Sequence, residues 1–518
     1  EALDKEGNFY IDNLRAAKQE IRYTLKGGGE EVFEPHLTFM GFRYVRLQGY
    51  PGKLQPTDLT ATALYSDMEP TGEFECSNPL VNQLQHNIEW GQKGNFVDVP
   101  TDCPQRDERL GWTGDAQVFA RTAAYNMNAA SFFSKWLKDL AADQREDGAV
   151  PFVIPNVLNK NAAASAGWAD AATIIPWTMY NAYGDIKFIE DQYESMKAWV
   201  GYMEKESTDH LWNKGFHFGD WLFYRPFDDN DGRSAVTDKY LIAQSFFVHS
   251  TQLLVDAARI LGKNDDVEKY SDLLNKVKAA YLKEYMTPNG RLVSSTQTAY
   301  VLALNFDILP ESLRAQAAQK LADNVRGYGS HLTTGFLGTP YLCHVLTRFG
   351  YADVAYSLLM QETYPSWLYP VKMGATTIWE RWDGIKPDST FQTPGMNSFN
   401  HYAYGAIGDW MYRTIAGLQE GSPGYKKITV SPTPGGNLTY AIARLKSPYG
   451  LIESGWKIEN GVLKLELIIP PNTSAEVILP NTASMKTTPL ANPVADDEKL
   501  KFSVGSGVYR FEYPMPAQ

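Results

Sequence analysis

The sequence predicts a multidomain chain: a central all-α domain, a short β-domain before it and an antiparallel β-sandwich after it. Changes of residue periodicity predict this division. Period-two alternation marks parts of residues 1–75, apolar spacing of three and four runs from 76 to 418, and alternation returns from 419 to 518. A length of 518 residues suits about three domains. Hydrophobic residues at 44% and charged residues at 21% are ordinary globular values, which excludes a disordered chain.

In residues 1–75, Glu34 to Gly49 alternates in its second half, as a half-buried strand does, and Gly27, Gly28 and Gly29 form a turn. The stretch opens abruptly and reads as a partial β-sandwich whose earlier strands are absent. From 76 to 418 the spacing predicts helices near 78–95, 115–126, 129–143, 170–182, 186–206, 238–261, 264–283, 295–304, 310–327, 334–349, 351–361 and 402–418. Alternating short and long connections between twelve helices fit six hairpins closed in a ring, an (α/α)6 barrel. The long connections 96–114, 207–236 and 362–401 are expected to gather at one mouth, since long ordered loops in compact domains carry function. Beyond 419, Lys427–Val430, Leu463–Ile469, Ala475–Leu479 and Val508–Glu512 alternate between Pro- and Gly-rich breaks and predict the sandwich strands, with a structural role.

Several function classes drop out. Lys and Arg number 48 against 60 Asp and Glu, a formal charge of −12, the wrong sign for gripping a phosphate backbone. No apolar run reaches the length of a membrane span. Cys76, Cys103 and Cys343 are too few and too scattered for a disulfide framework or a zinc site. Asp228-Asp-Asn-Asp-Gly232 resembles a calcium loop only superficially, because Phe227 occupies the first ligand position. The chain carries no metalloprotease His pair, no nucleophile elbow and no dinucleotide fingerprint. It begins with Glu and has no signal segment, so it reads as a processed chain or as part of a longer one. Periplasmic, secreted and cytoplasmic locations all stay open, as does the oligomeric state.

The densest chemistry lies between Asp98 and Asp115, which holds Asp98, Asp102, Asp107, Glu108 and Asp115 with Arg106, Arg109 and Trp112. Pro100, Pro104, Gly111 and Gly114 break any regular helix there, so the segment is a shaped loop. Cys, Leu and Trp interleave with its charges, which a solvated loop would not need. Carboxylates packed this way have their pKa values pushed apart, so one stays protonated as an acid. The plainer reading is an ion-pair network in which Arg106 and Arg109 neutralise the acids. Glu380, flanked by Trp379 and Trp382, is a second candidate on a separate loop. A glutamate in aromatic surroundings is costly unless it is paired, to Arg381 or another arginine, or used. Two carboxylates from separate loops at one mouth suit glycosidic cleavage, one protonating the leaving oxygen and the other activating water or attacking the sugar.

The aromatic content, 13 Trp, 30 Tyr and 24 Phe, suits stacking on sugar rings as well as core packing. Trp168 and Trp221 each sit beside an acid where a helix begins or a loop turns, and both readings stay open for each. His401 is a sugar hydrogen-bonder or a capping residue, and Asp115 also suits the N-cap of the helix that follows it.

Asp102-Cys-Pro-Gln-Arg-Asp-Glu-Arg-Leu-Gly-Trp-Thr-Gly-Asp115, with Thr377-Ile-Trp-Glu-Arg-Trp382, resembles the bacterial α-L-rhamnosidases of glycoside hydrolase family 78. Thr38 to Arg46 resembles the β-domain before that family's barrel, and the all-β tail its C-terminal sandwich. The resemblance implies an inverting hydrolase of rhamnose-containing glycosides or polysaccharides that needs no cofactor and no metal. It makes Glu108 the general acid and Glu380 the general base. It places Asp102, Arg106, Trp112 and Asp115, and through looser motifs Trp168, Trp221 and His401, around the sugar. The residues themselves support the two-acid logic and do not select rhamnose. Another deoxy- or uronic sugar, or binding without turnover, remains as an alternative.

Overall fold

Asn78 opens the helical stretch by accepting, through Oδ1, the backbone N–H of Leu80 (2.9 Å) and Val81 (3.4 Å). Pro79 takes the first helical position, where its missing N–H costs nothing. The computed structural model describes residues 2–223, 237–482, 484–489, 491–496 and 498–515. The calcium-like segment 228–232 lies outside them.

The described helices are α1 (Pro79–Asn95), α2 (Thr113–Asn126), α3 (Ala130–Asp143), α4 (Ala171–Tyr183), α5 (Lys187–Glu206), α6 (Lys239–Ile260), α7 (Asn264–Tyr285), α8 (Gln297–Asn305), α9 (Glu311–Gly327), α10 (Thr339–Arg348), α11 (Ala352–Leu359), a short α12 (Leu368–Lys372) and α13 (Ile407–Trp410). Helix α2 packs on α4, α4 on α6, α6 on α8, α8 on α10, α10 on α13, and α13 returns to α2. Their shared faces are apolar: α6 buries Leu241, Phe246, Phe247 and Leu254 completely.

The expected last helix, 402–418, is broken. A 3-10 turn over Tyr402–Ala406 leads into α13, and a π turn over Met411–Ile415 follows. Thr122 of α2 is the physical reason. Its hydroxyl donates to the Ala406 carbonyl (3.1 Å) and accepts the Asp409 N–H (3.0 Å), diverting backbone groups from a regular ladder.

The strands are β1 (Ala2–Leu3), β2 (Phe9–Tyr10), β3 (Gly72–Cys76), β4 (Phe96–Val97), β5 (Val99–Pro100), β6 (Leu418–Glu420), β7 (Lys427–Val430), β8 (Tyr440–Ser447), β9 (Gly450–Glu459), β10 (Val462–Ile469), β11 (Ser474–Pro480), β12 (Lys486–Thr488), β13 (Val494–Asp496), β14 (Lys499–Val504) and β15 (Gly507–Pro514). The C-terminal part forms two sheets, β12-β15-β10-β9-β8-β3 and β13-β14-β11-β7-β6. Two corrections to the expected antiparallel sandwich follow. Strands β7 and β11 pair in parallel, Lys427 opposite Ser474, and β3, from the N-terminal side of the helices, forms the edge beside β8.

Residues 34–49, expected to hold a strand, pair with no strand among the described residues. Alternation makes a strand only where a neighbour takes up its N–H and C=O groups and a layer covers its apolar face. Here Leu37, Phe39, Phe42, Val45 and Leu47 all lie exposed. Among the described residues up to 65, only β1 and β2 are strands.

Candidate active site

The loop 98–112 is pinned by its own acid. Asp102 Oδ1 accepts the Leu110 N–H at 2.9 Å, and the Asp102 N–H donates back to the Leu110 carbonyl at 2.9 Å. The closed loop holds Arg106 fully buried. Its guanidinium forks onto Glu380, Nη1 to Oε2 at 2.7 Å and Nη2 to Oε1 at 3.0 Å. Nη2 also reaches Glu108 Oε2 at 2.8 Å. The two glutamates nominated from separate loops therefore share one cation.

Glu380 is held further by the Ser398 N–H, which donates to Oε2 at 2.9 Å, and by a backbone bond from Glu380 N to the Ser398 carbonyl at 2.8 Å. Of the pairings weighed for Glu380, to Arg381 or another arginine, the second is found: the partner is Arg106, and Arg381 holds Asp383 at 2.7 Å. Arg109, the other suggested neutraliser, is exposed and makes no ion pair among the described residues. Asp98 lies apart, exposed and paired with Lys135.

Asp115 is not an N-cap. Helix α2 begins two residues earlier, at Thr113, and the bare Gly114 in its first turn lets Trp168 lie close, since a Cβ there would stand 2.5 Å from its ring. Asp115 thus falls in the first turn and takes His401 Nε2 at 2.7 Å. His401 caps nothing through its side chain. Its Nδ1 lies 3.9 Å from Asp102 Oδ2 and makes no hydrogen bond, nor does that carboxylate oxygen. Trp112 Nε1 is likewise buried without a partner. Buried polar atoms are almost always satisfied, so a cluster of such orphans beside two charged groups suits recognition of polar ligand groups.

The electrostatics separate the acids. Burial, reinforced by the charge of Glu108, pushes Asp102 up to about 7 against the pull of His401 and Arg106. Burial would also raise Glu380, but Arg106 and His401 outweigh it and hold this carboxyl at about 2. Burial would lower His401, yet Asp115, with Glu380 and Asp102, lifts it to about 9. At neutral pH the site thus holds an ionised Glu380, an imidazolium His401 and an Asp102 near its midpoint.

Asp102, Cys103 and Glu108 place ligand atoms within 4.8 Å of one another. Burial holds the Cys103 thiol well above its ordinary range, and Arg106 already supplies the positive charge, so the donor set fits a metal poorly.

An aromatic wall adjoins the charges. Phe218 is its hub, with ring centroids 4.6 Å from Trp168, 5.7 Å from Trp112 and 5.7 Å from Trp221. Trp168 is buried, whereas Trp112 and Trp221 are half-buried. The Trp221 carbonyl accepts the Phe336 N–H at 2.9 Å, and the Phe336 ring lies 5.7 Å from His401. All nine nominated residues therefore fall in one linked cluster. Phe218 and Phe336 escaped the sequence reading, since a single Phe carries no spacing signal of its own.

Residues 69–415 match the family model of the bacterial alpha-L-rhamnosidase 6 hairpin glycosidase domain. Residues 417–489 match that of the C-terminal domain, and residues 1–65 that of the concanavalin-like domain. The chain is 46% identical over 513 residues to an alpha-L-rhamnosidase of Streptomyces avermitilis, covering 99% of this chain and 48% of that protein. It is 43% identical over 492 residues to one of Formosa agariphila, covering 94% and 53%. Two solved structures are similar. One, the Streptomyces avermitilis enzyme complexed with L-rhamnose, has a TM-score of 0.94 at 45% identity, covering 99% of this chain and 49% of that one. The other, the native enzyme of Aspergillus terreus, has a TM-score of 0.93 at 38% identity, covering 99% and 58%. The chain spans about half the length of the curated relatives it matches. Its matched domains, its identity to these relatives and its shared fold make it a member of the bacterial α-L-rhamnosidases, a family of glycoside hydrolases.

Proposed function

We propose that this chain hydrolyses terminal α-L-rhamnosides with inversion, Glu108 acting as general acid and Glu380 as general base. The observation that carries the reading is the meeting of these two glutamates, from loops far apart in sequence, on the single guanidinium of Arg106. The loops rise from a helical body whose packing order from α2 through α13 and back supports the (α/α)6 barrel, with residues 1–75 and 419–518 as flanking units. The L-rhamnose complex of the Streptomyces relative supports the choice of sugar, carried by a glycoside or a polysaccharide.

On this reading Glu108, with its side chain 22% exposed, protonates the glycosidic oxygen. Glu380, ionised, takes a proton from the attacking water. Arg106 occupies the ground between the two acids, so the entering sugar takes up its donors and frees a Glu380 oxygen for that water. Asp102, Asp115 and His401 hold the hydroxyls, while Trp112, Trp168 and Trp221 pack against the ring's apolar face.

Hydrolysis of p-nitrophenyl α-L-rhamnoside, followed by NMR of the first anomer released, tests this. The β-anomer of rhamnose is expected, with Glu380→Gln lowering kcat on this substrate about 100-fold or more, and Glu108→Gln doing so on methyl α-L-rhamnoside, while the fold stays intact. Release of the α-anomer would remove the water-activating role of Glu380, and a missing activity would remove the choice of sugar.

A further inference from the structure

Ahead of β3, the chain lies as a short strap over both catalytic loops. The Tyr10 ring stacks on Phe391 at 3.8 Å. Asn13, fully buried, donates through Nδ2 to the Asn397 carbonyl at 2.9 Å, one residue before the Ser398 that holds Glu380. Leu14 is buried beside it. The strap then turns sharply at Arg15, a non-glycine residue at φ 57°. From there Arg15 Nη2 reaches Glu108 Oε2 at 2.5 Å and Nε reaches Asp107 Oδ1 at 3.1 Å. A side chain held in left-handed backbone costs about 1 kcal/mol or more and persists only where its surroundings over-determine it. Here the two ion pairs and the buried Asn13 supply that constraint.

We infer that Arg15 is a positioning residue for the general acid, a role that rests on the assignment of Glu108 above. Arg106 and Arg15 both donate to the same oxygen, Oε2, and guanidinium groups only donate. Oε2 is therefore the acceptor oxygen, and a proton carried by this carboxyl resides on Oε1, which has no protein partner among the described residues. Arg106 approaches from the buried side and Arg15, with its side chain 30% exposed, from the mouth, so the carboxyl is fixed between them. Other charges in reach of Glu108 are Asp102, Glu380 across the shared Arg106, and its neighbour Asp107, which Arg15 itself occupies.

Leaving-group chemistry tests the role. Protonation matters little for p-nitrophenolate and decisively for an alkoxide, so a misplaced acid penalises only the second. In Arg15→Gln, kcat on methyl α-L-rhamnoside is expected to fall about tenfold or more, with p-nitrophenyl α-L-rhamnoside hydrolysed within about twofold of the parent rate. Equal losses on both substrates would make Arg15 merely structural and overturn the inference, as would no loss on either. Glu108→Gln is measured alongside. Leaving-group dependence there without it in Arg15→Gln defeats the Arg15 role alone, whereas equal losses in Glu108→Gln defeat the acid assignment and the Arg15 role with it.

Discussion

His401 shows how single residues set the pH response of this site. Its imidazole is lifted to about 9 in the fold from an ordinary 6.5, chiefly because Asp115 outweighs the burial that would lower it. A raised value means the pair's contribution to stability is complete below about pH 6.5 and is lost as pH rises through 9. His401→Gln should therefore cost on the order of 1–3 kcal/mol near pH 6 and much less near pH 10. Denaturant midpoints of variant and parent across that range check this, and a constant difference would contradict it. Glu380 works in the opposite sense: held at about 2, it lends stability above its ordinary value of 4.5 that fades as pH falls toward 2. Asp102→Asn removes a carboxylate whose Oδ2 awaits a partner, so KM should rise about 10- to 100-fold at little cost in kcat. An unchanged KM would make Asp102 a loop staple alone. Glu108 and Asp102 stood out as candidates in the sequence because charges interleaved with Cys, Leu and Trp have no reason to exist in a solvated loop, and Glu380 because it lies between two tryptophans; the role of each came only with the family resemblance. The capping role that Asp115 also suited does not hold, because helix α2 already starts at Thr113 and leaves Asp115 inside its first turn.

Between elements, the walls of the site are tied together by a carboxylate that touches neither Glu108 nor Glu380. Asp220, fully buried, accepts the backbone N–H groups of Gly335 (2.8 Å), Leu337 (2.9 Å) and Gly338 (3.0 Å), and also the Thr298 hydroxyl. It thereby locks the loop that bears Trp221 to the loop that bears Phe336 and opens α10. Asp220→Ala strands three buried N–H donors and should lower stability by about 3 kcal/mol or more. Because Trp221 and Phe336 both lose their footing, KM should rise in the same variant. Stability lost without a change in KM would separate the wall from sugar binding. The three long loops were legible from their length and their breakers, and the described parts of all three do meet: Gln105 bonds Ser398, and the Trp112 ring lies 5.7 Å from that of Phe218. The Asp220 staple was not legible, because an acid beside a tryptophan looks the same whether it faces a ligand or a distant loop's backbone.

For the molecule as a whole, the stretch that precedes the helices and the one that follows them close on each other. Strand β3 enters directly before α1, yet its ladder partner is β8, so the C-terminal sheet contains both ends of the helical body. The last helical turns are fastened to the same sheet. Trp456 of β9, buried, donates through Nε1 to the Ile415 carbonyl at 2.7 Å, and Ser454 Oγ donates to the Ala416 carbonyl at 2.6 Å. Alternation and breaker spacing revealed several of these strands but not the pairing of β3, since period two says which face is buried and not which neighbour lies alongside. If the sheet is a structural part of the helical body, the two unfold together. Trp456→Ala opens a cavity and strands the Ile415 carbonyl, which should cost about 3–5 kcal/mol. The far-UV helical signal and the hydrogen-exchange protection of the β8, β9 and β10 amides should then be lost at lower temperature as one coincident transition. A helical signal that keeps the parent's midpoint while the sheet amides lose protection early would show a sheet that unfolds on its own, leaving β3 a passive edge.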